Sequence, residues 1–151
     1  MSLSKFENFL RSGSLDTVQL ESSPTTVRQI FGVPTSERFS KKKKYLHLEY
    51  HNVQLTFQND ALILITIHYN WHQNGNLLFV GDSWPESHMD KANFSNKLQT
   101  INIEIRRKQF GIDEHLYFPS GVVATFMENR LFSLSISQES KVSSQIAFSE
   151  S

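Results

Sequence analysis

Residues 53–67 read VQLTFQNDALILITI, and 69 residues later residues 122–136 read VVATFMENRLFSLSI. The two stretches align without a gap, and five of their fifteen positions are identical. In both, apolar and polar residues alternate on either side of a polar turn, which is typical of an antiparallel hairpin. Any two amphipathic hairpins could align this well, so the flanking sequence has to show whether a larger unit is repeated.

A helix and a further strand precede the first hairpin. Residues 24–34 carry apolar residues at helical spacing, with Ser23 as a candidate N-cap and Gly32 as a stop. Period-two alternation then predicts a strand at Tyr45–Tyr50 and, after the hairpin turn, a long strand at 61–71. The first half therefore reads as a helix followed by an antiparallel meander.

The second half follows the same order. Residues 90–102 predict a helix capped by Asp90, and strands are predicted at 103–110 and 115–118 before the second hairpin. We expect one α+β domain of two helix-plus-meander repeats, with the helices on one face of the sheet. The expected divisions are a first repeat at 15–72, a connector at 73–88 with a strand at 77–80, a second repeat at 89–138, and a poorly ordered or loosely docked Ser-rich tail at 139–151.

Alternation assigns each strand an apolar and a polar side. Large apolar residues, among them Ile63 and Phe132, are expected to form one core beneath the helices. The opposite side would present hydrogen-bonding groups with few charges. Aromatic residues gather beside the connector, and Trp and Tyr often anchor interfaces, although the two Trp could instead fill the seam between the repeats. The predicted partner-binding residues are Tyr45, His47, Gln54, Thr66, His68, Tyr69, Trp71 and Trp84.

Composition excludes several classes of function. The chain has 151 residues, no Cys, and 15 basic against 15 acidic side chains. Disulfide scaffolds, thiolate zinc sites and Cys nucleophiles are therefore excluded, and no net charge attracts nucleic acid or an anionic membrane. The N-terminal residues lack the apolar run of a secretory signal, so we expect a cytoplasmic protein without a membrane partner.

The helix ending in Gly-x-Pro, the meander V-x-L-T-F-x-N-D-x-L-I-x-I and its fainter second copy resemble β-lactamase-inhibitor proteins and small outer-membrane assembly lipoproteins. With its W-x-x-x-x-M connector, the chain also resembles uncharacterised bacterial immunity-like proteins. These resemblances imply non-enzymatic binding of a protein partner through the polar sheet face. No inhibitor binding-loop motif is found, and the absence of Cys departs from the secreted inhibitors.

Two alternatives remain open. A small-molecule or metal-assisted enzyme would use His47, His68 and His72, with His47 and His68 as a cross-strand pair. However, no nucleophile motif, paired carboxylate or phosphate loop is present, so no catalytic, cofactor or metal residue is assigned. A nucleic-acid binder would join the four lysines 41–44 to the basic residues 106–108, with Tyr45 and Tyr117 stacking on bases. The protein partner is not identified by the sequence, which also leaves a homodimer open.

Overall fold

The fold was obtained as a computed structural model that describes residues 5–42, 44–69 and 89–149. Within these residues the chain forms four helices and eight strands. The first part contains α1 (Lys5–Ser12), α2 (Pro24–Phe31), β1 (Ser36–Ser40), β2 (Tyr45–Tyr50), β3 (Val53–Gln58) and β4 (Ala61–His68). The second part contains α3 (Lys91–Thr100), β5 (Arg106–Phe110), β6 (Asp113–Tyr117), β7 (Val123–Met127), β8 (Arg130–Ser137) and α4 (Gln138–Ser149). The predicted α+β class is confirmed.

All eight strands belong to one antiparallel sheet, in the order β1-β2-β3-β4-β8-β7-β6-β5. Each four-stranded meander runs from one edge of the sheet to its middle. The two meanders meet where β4 pairs with β8, in a register that places Thr66 opposite Ser135. The sheet is therefore continuous across the two halves, with β1 and β5 as its edges.

The core lies on one side of the sheet, which we call the inner face. Helices α1, α2 and α3 contribute buried side chains to it. At its centre, Phe94 of α3 packs edge-on against Phe6 of α1 and Phe126 of β7, with ring centroids 6.3 and 5.3 Å apart. Edge-to-face packing of buried rings adds to the free energy gained from removing their surface from water.

The two central hairpins each contain a β-bulge that changes which residues enter the core. The register shifts at Thr56/Phe57 in the first hairpin and at Thr125/Phe126 in the second. As a result Leu62 and Leu131 are fully buried, whereas Ile63 and Phe132 are only half-buried. Strict alternation placed Ile63 and Phe132 in the core, and this was wrong because a bulge inserts one residue and reverses the facing of its neighbours.

The two helices that the sequence predicts begin at the expected caps. The Ser23 hydroxyl accepts a hydrogen bond from the Thr26 amide at 3.1 Å, and the Asp90 carboxylate accepts one from the Ala92 amide at 2.8 Å. Each side chain satisfies an amide that the first helical turn leaves without a backbone partner. Helix α2 ends at Gly32, whose φ of 84° favours glycine.

Helix α4 occupies the segment that was expected to be a poorly ordered tail. Ser137 ends β8 and also caps α4: its hydroxyl accepts from the Ser140 amide at 3.0 Å, while the Ser140 hydroxyl accepts from the Ser137 amide at 2.8 Å. This reciprocal pair is a capping box with serine in place of the usual glutamate. Ser140 also donates to the Gly121 carbonyl at 2.7 Å, which fixes α4 to the loop before β7.

Helix α4 packs on the opposite side of the sheet, which we call the outer face. It lies over Tyr117, Val123 and Ser135, whose side chains alternate with core residues on their strands. The expectation that all helices share one face was therefore wrong for α4. The serine-rich sequence of α4 gives little helical hydrophobic pattern, so neither its structure nor its face could be predicted from periodicity.

Two further elements were not expected from the sequence. Helix α1 and strand β1 were not predicted, because α1 falls in a segment read only for targeting signals and β1 has the mostly exposed, polar sequence SERFS. The predicted strand at 77–80 lies outside the described residues. In the part of the chain that the structure describes, no helix combines the length and apolarity that crossing a membrane requires.

Replacing Ser140 with Ala should lower the free energy of unfolding by about 1–2 kcal/mol, because the change removes two bonds of the Ser140 hydroxyl, the one from the Ser137 amide and the one to the Gly121 carbonyl. Urea unfolding of the Ser140→Ala variant measures this effect. The control is Ser149→Ala at the exposed end of α4, which should stay within about 0.5 kcal/mol of the wild type. Equal effects of the two substitutions would show that the Ser137–Ser140 box does not hold α4.

Candidate functional site

The outer face of β1–β4 collects five of the predicted partner-binding residues, and we call this surface the open half. Among the described residues, no helix lies over it. The register places Glu49, Gln54 and Thr66 in one row across β2, β3 and β4, and His47 and Thr56 in the next row. The five predicted residues found here are Tyr45, His47, Gln54, Thr66 and His68, all of them half-buried.

Hydrogen bonds and an ion pair connect neighbouring side chains of the open half. His47 Nδ1 lies 3.0 Å from Thr56 Oγ1, and Arg38 on β1 contacts Glu49 through Nη2–Oε1 at 3.1 Å. Because Arg38 and Glu49 neutralise each other, the open half has little net charge. It therefore offers hydrogen-bonding groups and ring faces rather than a charged patch.

His68 lies near the seam between the two halves. Its Nε2 is 3.5 Å from Gln54 Oε1, and its ring packs edge-on to Phe132 with centroids 6.5 Å apart. Burial lowers the pKa of His68 from its ordinary value of 6.5, and the carboxylate of Glu49 opposes part of this effect. Phe132 and Arg38 were not predicted as site residues. Phe132 lies on the outer face only because of the bulge. Arg38 lies there because it belongs to β1, a strand whose sequence has no pattern that would predict it.

Tyr69 does not belong to the open half. It is fully buried and packs edge-on against Phe6 at 6.4 Å between ring centroids. Burial raises the pKa of its hydroxyl well above 10.0. Tyr69 therefore contributes to the core, and its prediction as a docking residue was wrong because strand alternation turns it to the inner face. Trp71 and Trp84 lie outside the described residues.

The outer face of β5–β8 differs because α4 lies on it, and we call this surface the covered half. Beneath α4, the solvent-exposed fractions of Tyr117 and Val123 are only 7% and 6%. The register pairs His115 with Thr125, just as His47 pairs with Thr56 in the open half. The two halves thus place a histidine and a threonine in equivalent rows, but among the described residues a helix covers just the second half.

The proposed cross-strand histidine pair is not formed. His47 and His68 are separated by strand β3, and their rows are four residues apart along the strands. This places them about 10 Å apart across the sheet and about 13 Å apart along it, too far to bind one ion. Among the described residues, no group of three or more His, Asp or Glu side chains converges as metal ligands would. His72 lies outside the described residues.

The two basic segments do not form one patch. Lys41, Lys42 and Lys44 lie in the turn between β1 and β2, whereas Arg106 and Lys108 lie on β5. These are opposite edges of an eight-stranded sheet, about 34 Å apart at the usual strand spacing. The basic surface that was expected to combine Tyr45 and Tyr117 is therefore divided between the two ends of the sheet.

No protein-family model matches the chain, and no curated protein matches its sequence. Among solved structures, the fold is similar to a crystal structure of an extracellular protein containing an SCP domain from Bacillus anthracis. The match has a TM-score of 0.41 and 7% sequence identity, and covers 84% of this chain and 46% of the other. The match therefore spans less than half the length of that protein.

Two of the outer-face histidines, His68 and His115, should make stability depend on pH. Burial lowers the pKa of both His68 and His115, so the unfolded chain takes up these protons first as the pH falls. Their contribution is complete above their ordinary pKa of 6.5 and is lost as the pH falls through their folded pKa values. A His68→Asn/His115→Asn variant should therefore lose less stability than the wild type between about pH 7 and about pH 5 in urea unfolding.

The control for this measurement is His51→Asn, because His51 is exposed in the β2–β3 turn. This variant should keep the pH dependence of the wild type. If the double variant also keeps it, burial of His68 and His115 does not contribute to the pH response.

Proposed function

We propose that this chain is a non-catalytic protein-binding module of the immunity or inhibitor type, and that it docks through the open half onto a helix of its partner protein in the cytoplasm. The observation that supports this most strongly is that one sheet carries two related outer surfaces. A helix of the chain itself covers one of them, and no helix of the described residues covers the other.

The relation between the two surfaces supports a repeated unit. Strand β8 spans the residues of β4 shifted by 69 positions, and the two bulges differ by the same 69 positions. Thr56 and Thr125 occupy equivalent places beside His47 and His115. In the proposal, two copies of one helix-plus-meander unit meet at β4 and β8, so a ligand that fits one outer surface is a guide to what fits the other.

Helix α4 indicates what kind of partner the open half accepts. Towards the covered half it presents small side chains, including Ser140, Ser143 and Ala147, which let a helix backbone lie close to the sheet. The open half offers Gln54 and Thr66 in the row that continues into Ser135 of the covered half, without net charge. We therefore expect a partner helix with small, uncharged polar side chains on its docking face, and not a strongly charged segment.

A site-specific photo-crosslinker at position 54 tests this proposal. The matched control carries the crosslinker at Gln29, which is exposed on α2 on the other side of the sheet. A protein crosslinked at position 54 and not at position 29 is then purified, and its crosslinked residue is expected to lie in a helix. Equal capture at both positions would contradict docking through the open half.

The purified partner allows a quantitative second step. A Thr66→Arg variant places a long charged side chain in the centre of the open half and should weaken binding at least about tenfold, measured by calorimetry on variants that are folded by circular dichroism. Gln29→Arg adds the same charge elsewhere and should change binding less than about twofold. An unchanged affinity for Thr66→Arg would overturn the proposed docking surface.

A further inference from the structure

A groove separates α4 from the edge of the covered half, and it lies apart from the proposed docking surface. Its volume is about 490 Å³, within the range of small-molecule sites. Its lining residues are Arg106, Arg107, Lys108, Phe110, Tyr117, Ser143, Ile146 and Ala147. The lining combines three basic residues with aromatic and aliphatic side chains and includes no acidic residue.

Two of the basic side chains belong to the outer face of β5. The register pairs Arg106 with Tyr117 and Lys108 with His115, which are outer-face residues. Strand alternation therefore places the side chains of Arg106 and Lys108 on the groove side of β5. Arg107 lies between them and borders the groove, but its side chain turns to the inner face, where its guanidinium donates to Ser95 Oγ at 3.3 Å. The strand thus separates two groove-facing cations from a third of similar charge on the opposite face.

Aromatic rings hold these two cations, and no carboxylate neutralises them among the described residues. The Arg106 guanidinium lies 4.6 Å from the ring centroid of Phe148, and Lys108 Nζ lies 5.4 Å from that of Phe110. The ion pairs of the described residues involve Arg28, Arg38 and Lys91. Asp113 lies on the outer face at the start of β6, opposite Phe110, and Glu139 lines the adjoining cavity, but neither carboxylate forms an ion pair with Arg106 or Lys108.

Edge protection explains only part of this arrangement. Charged side chains on an edge strand discourage pairing with another sheet, and Arg106 and Lys108 fulfil that role. It does not require apolar side chains beside them, yet Phe110 and Ile146 remain 44% and 54% exposed at the groove. Tyr117 lies at its base, and the adjoining cavity of about 230 Å³ continues past His115 and Thr125.

We propose that this groove binds a small amphipathic anion. Arg106 and Lys108 bind its carboxylate or phosphate group by charge-assisted hydrogen bonds, and its apolar body lies against Phe110, Tyr117 and Ile146. A fatty acid and a nucleoside monophosphate both have this chemistry. The first would lay its chain along Ile146 and Ala147, and the second would stack its base on an aromatic ring.

Calorimetric titration of the full chain with laurate, and separately with AMP, tests the site and distinguishes a fatty acid from a nucleoside monophosphate as its ligand. One of the probes should bind saturably at one site per chain. Arg106→Gln and Lys108→Gln should each weaken that binding about tenfold, because each removes one charge-assisted contact. Arg107→Gln is the matched control: it removes the same charge from the same strand but from the inner face, and should change affinity less than about twofold.

A third variant keeps every charge and fills the groove. Ala147→Phe places a ring where the apolar body is expected, and should abolish binding in a protein with a wild-type circular dichroism spectrum. Failure of both probes to saturate the folded wild type below about 1 mM would overturn the proposal. It would equally be overturned if Arg107→Gln weakened binding as much as Arg106→Gln, since binding would then follow total charge and not the groove.

Discussion

The pairing of β4 with β8 is the interaction on which the rest of the structure depends. It joins two four-stranded meanders through five residue pairs, from Leu64 opposite Ser137 to His68 opposite Ser133. Antiparallel pairing in the middle of the sheet satisfies the backbone groups of both strands, and in the described part of the chain β1 and β5 are the edges. It also aligns Ile65 with Ile136 and so makes one core under both halves.

The two bulges determine which side chains of the central hairpins lie on the inner face and which on the outer face. Each one moves a leucine, Leu62 or Leu131, into the core and leaves the next residue on or near the outer face. Phe132 thereby becomes a ring neighbour of His68, at the centre of the outer face. The outer face consequently combines hydrogen-bonding groups with an aromatic surface, and a helix can pack on it, as α4 does on the covered half.

Sequence reasoning predicted the hairpins, α2 and α3, because periodicity and caps such as Ser23 and Asp90 are local signals. It could not place Phe132, because the facing of the residues in a strand changes at a bulge that alternation does not reveal. Tyr69 follows plain alternation to the inner face, and only its aromatic side chain made it a docking candidate. It also missed α4. The cap of this helix follows a Ser-x-x-Ser pattern, but its serine-rich face has no hydrophobic periodicity and is explained only by its packing on the sheet. The separation of the two basic segments depends on strand order, which is a tertiary property.

Both halves share one sheet through β4 and β8, and engineered cysteines across this pairing test that arrangement directly. The chain has no natural Cys, so a Thr66→Cys/Ser135→Cys variant reports on this seam without background. These residues are directly paired, within the Cα separation a disulfide requires, whereas Gln54→Cys/Ser135→Cys places the thiols two strands apart, about 10 Å. Under mild oxidation, followed by mass spectrometry of the monomer, we expect an intramolecular disulfide in the first variant only. Its absence there, or its appearance only in the second, would contradict the shared sheet.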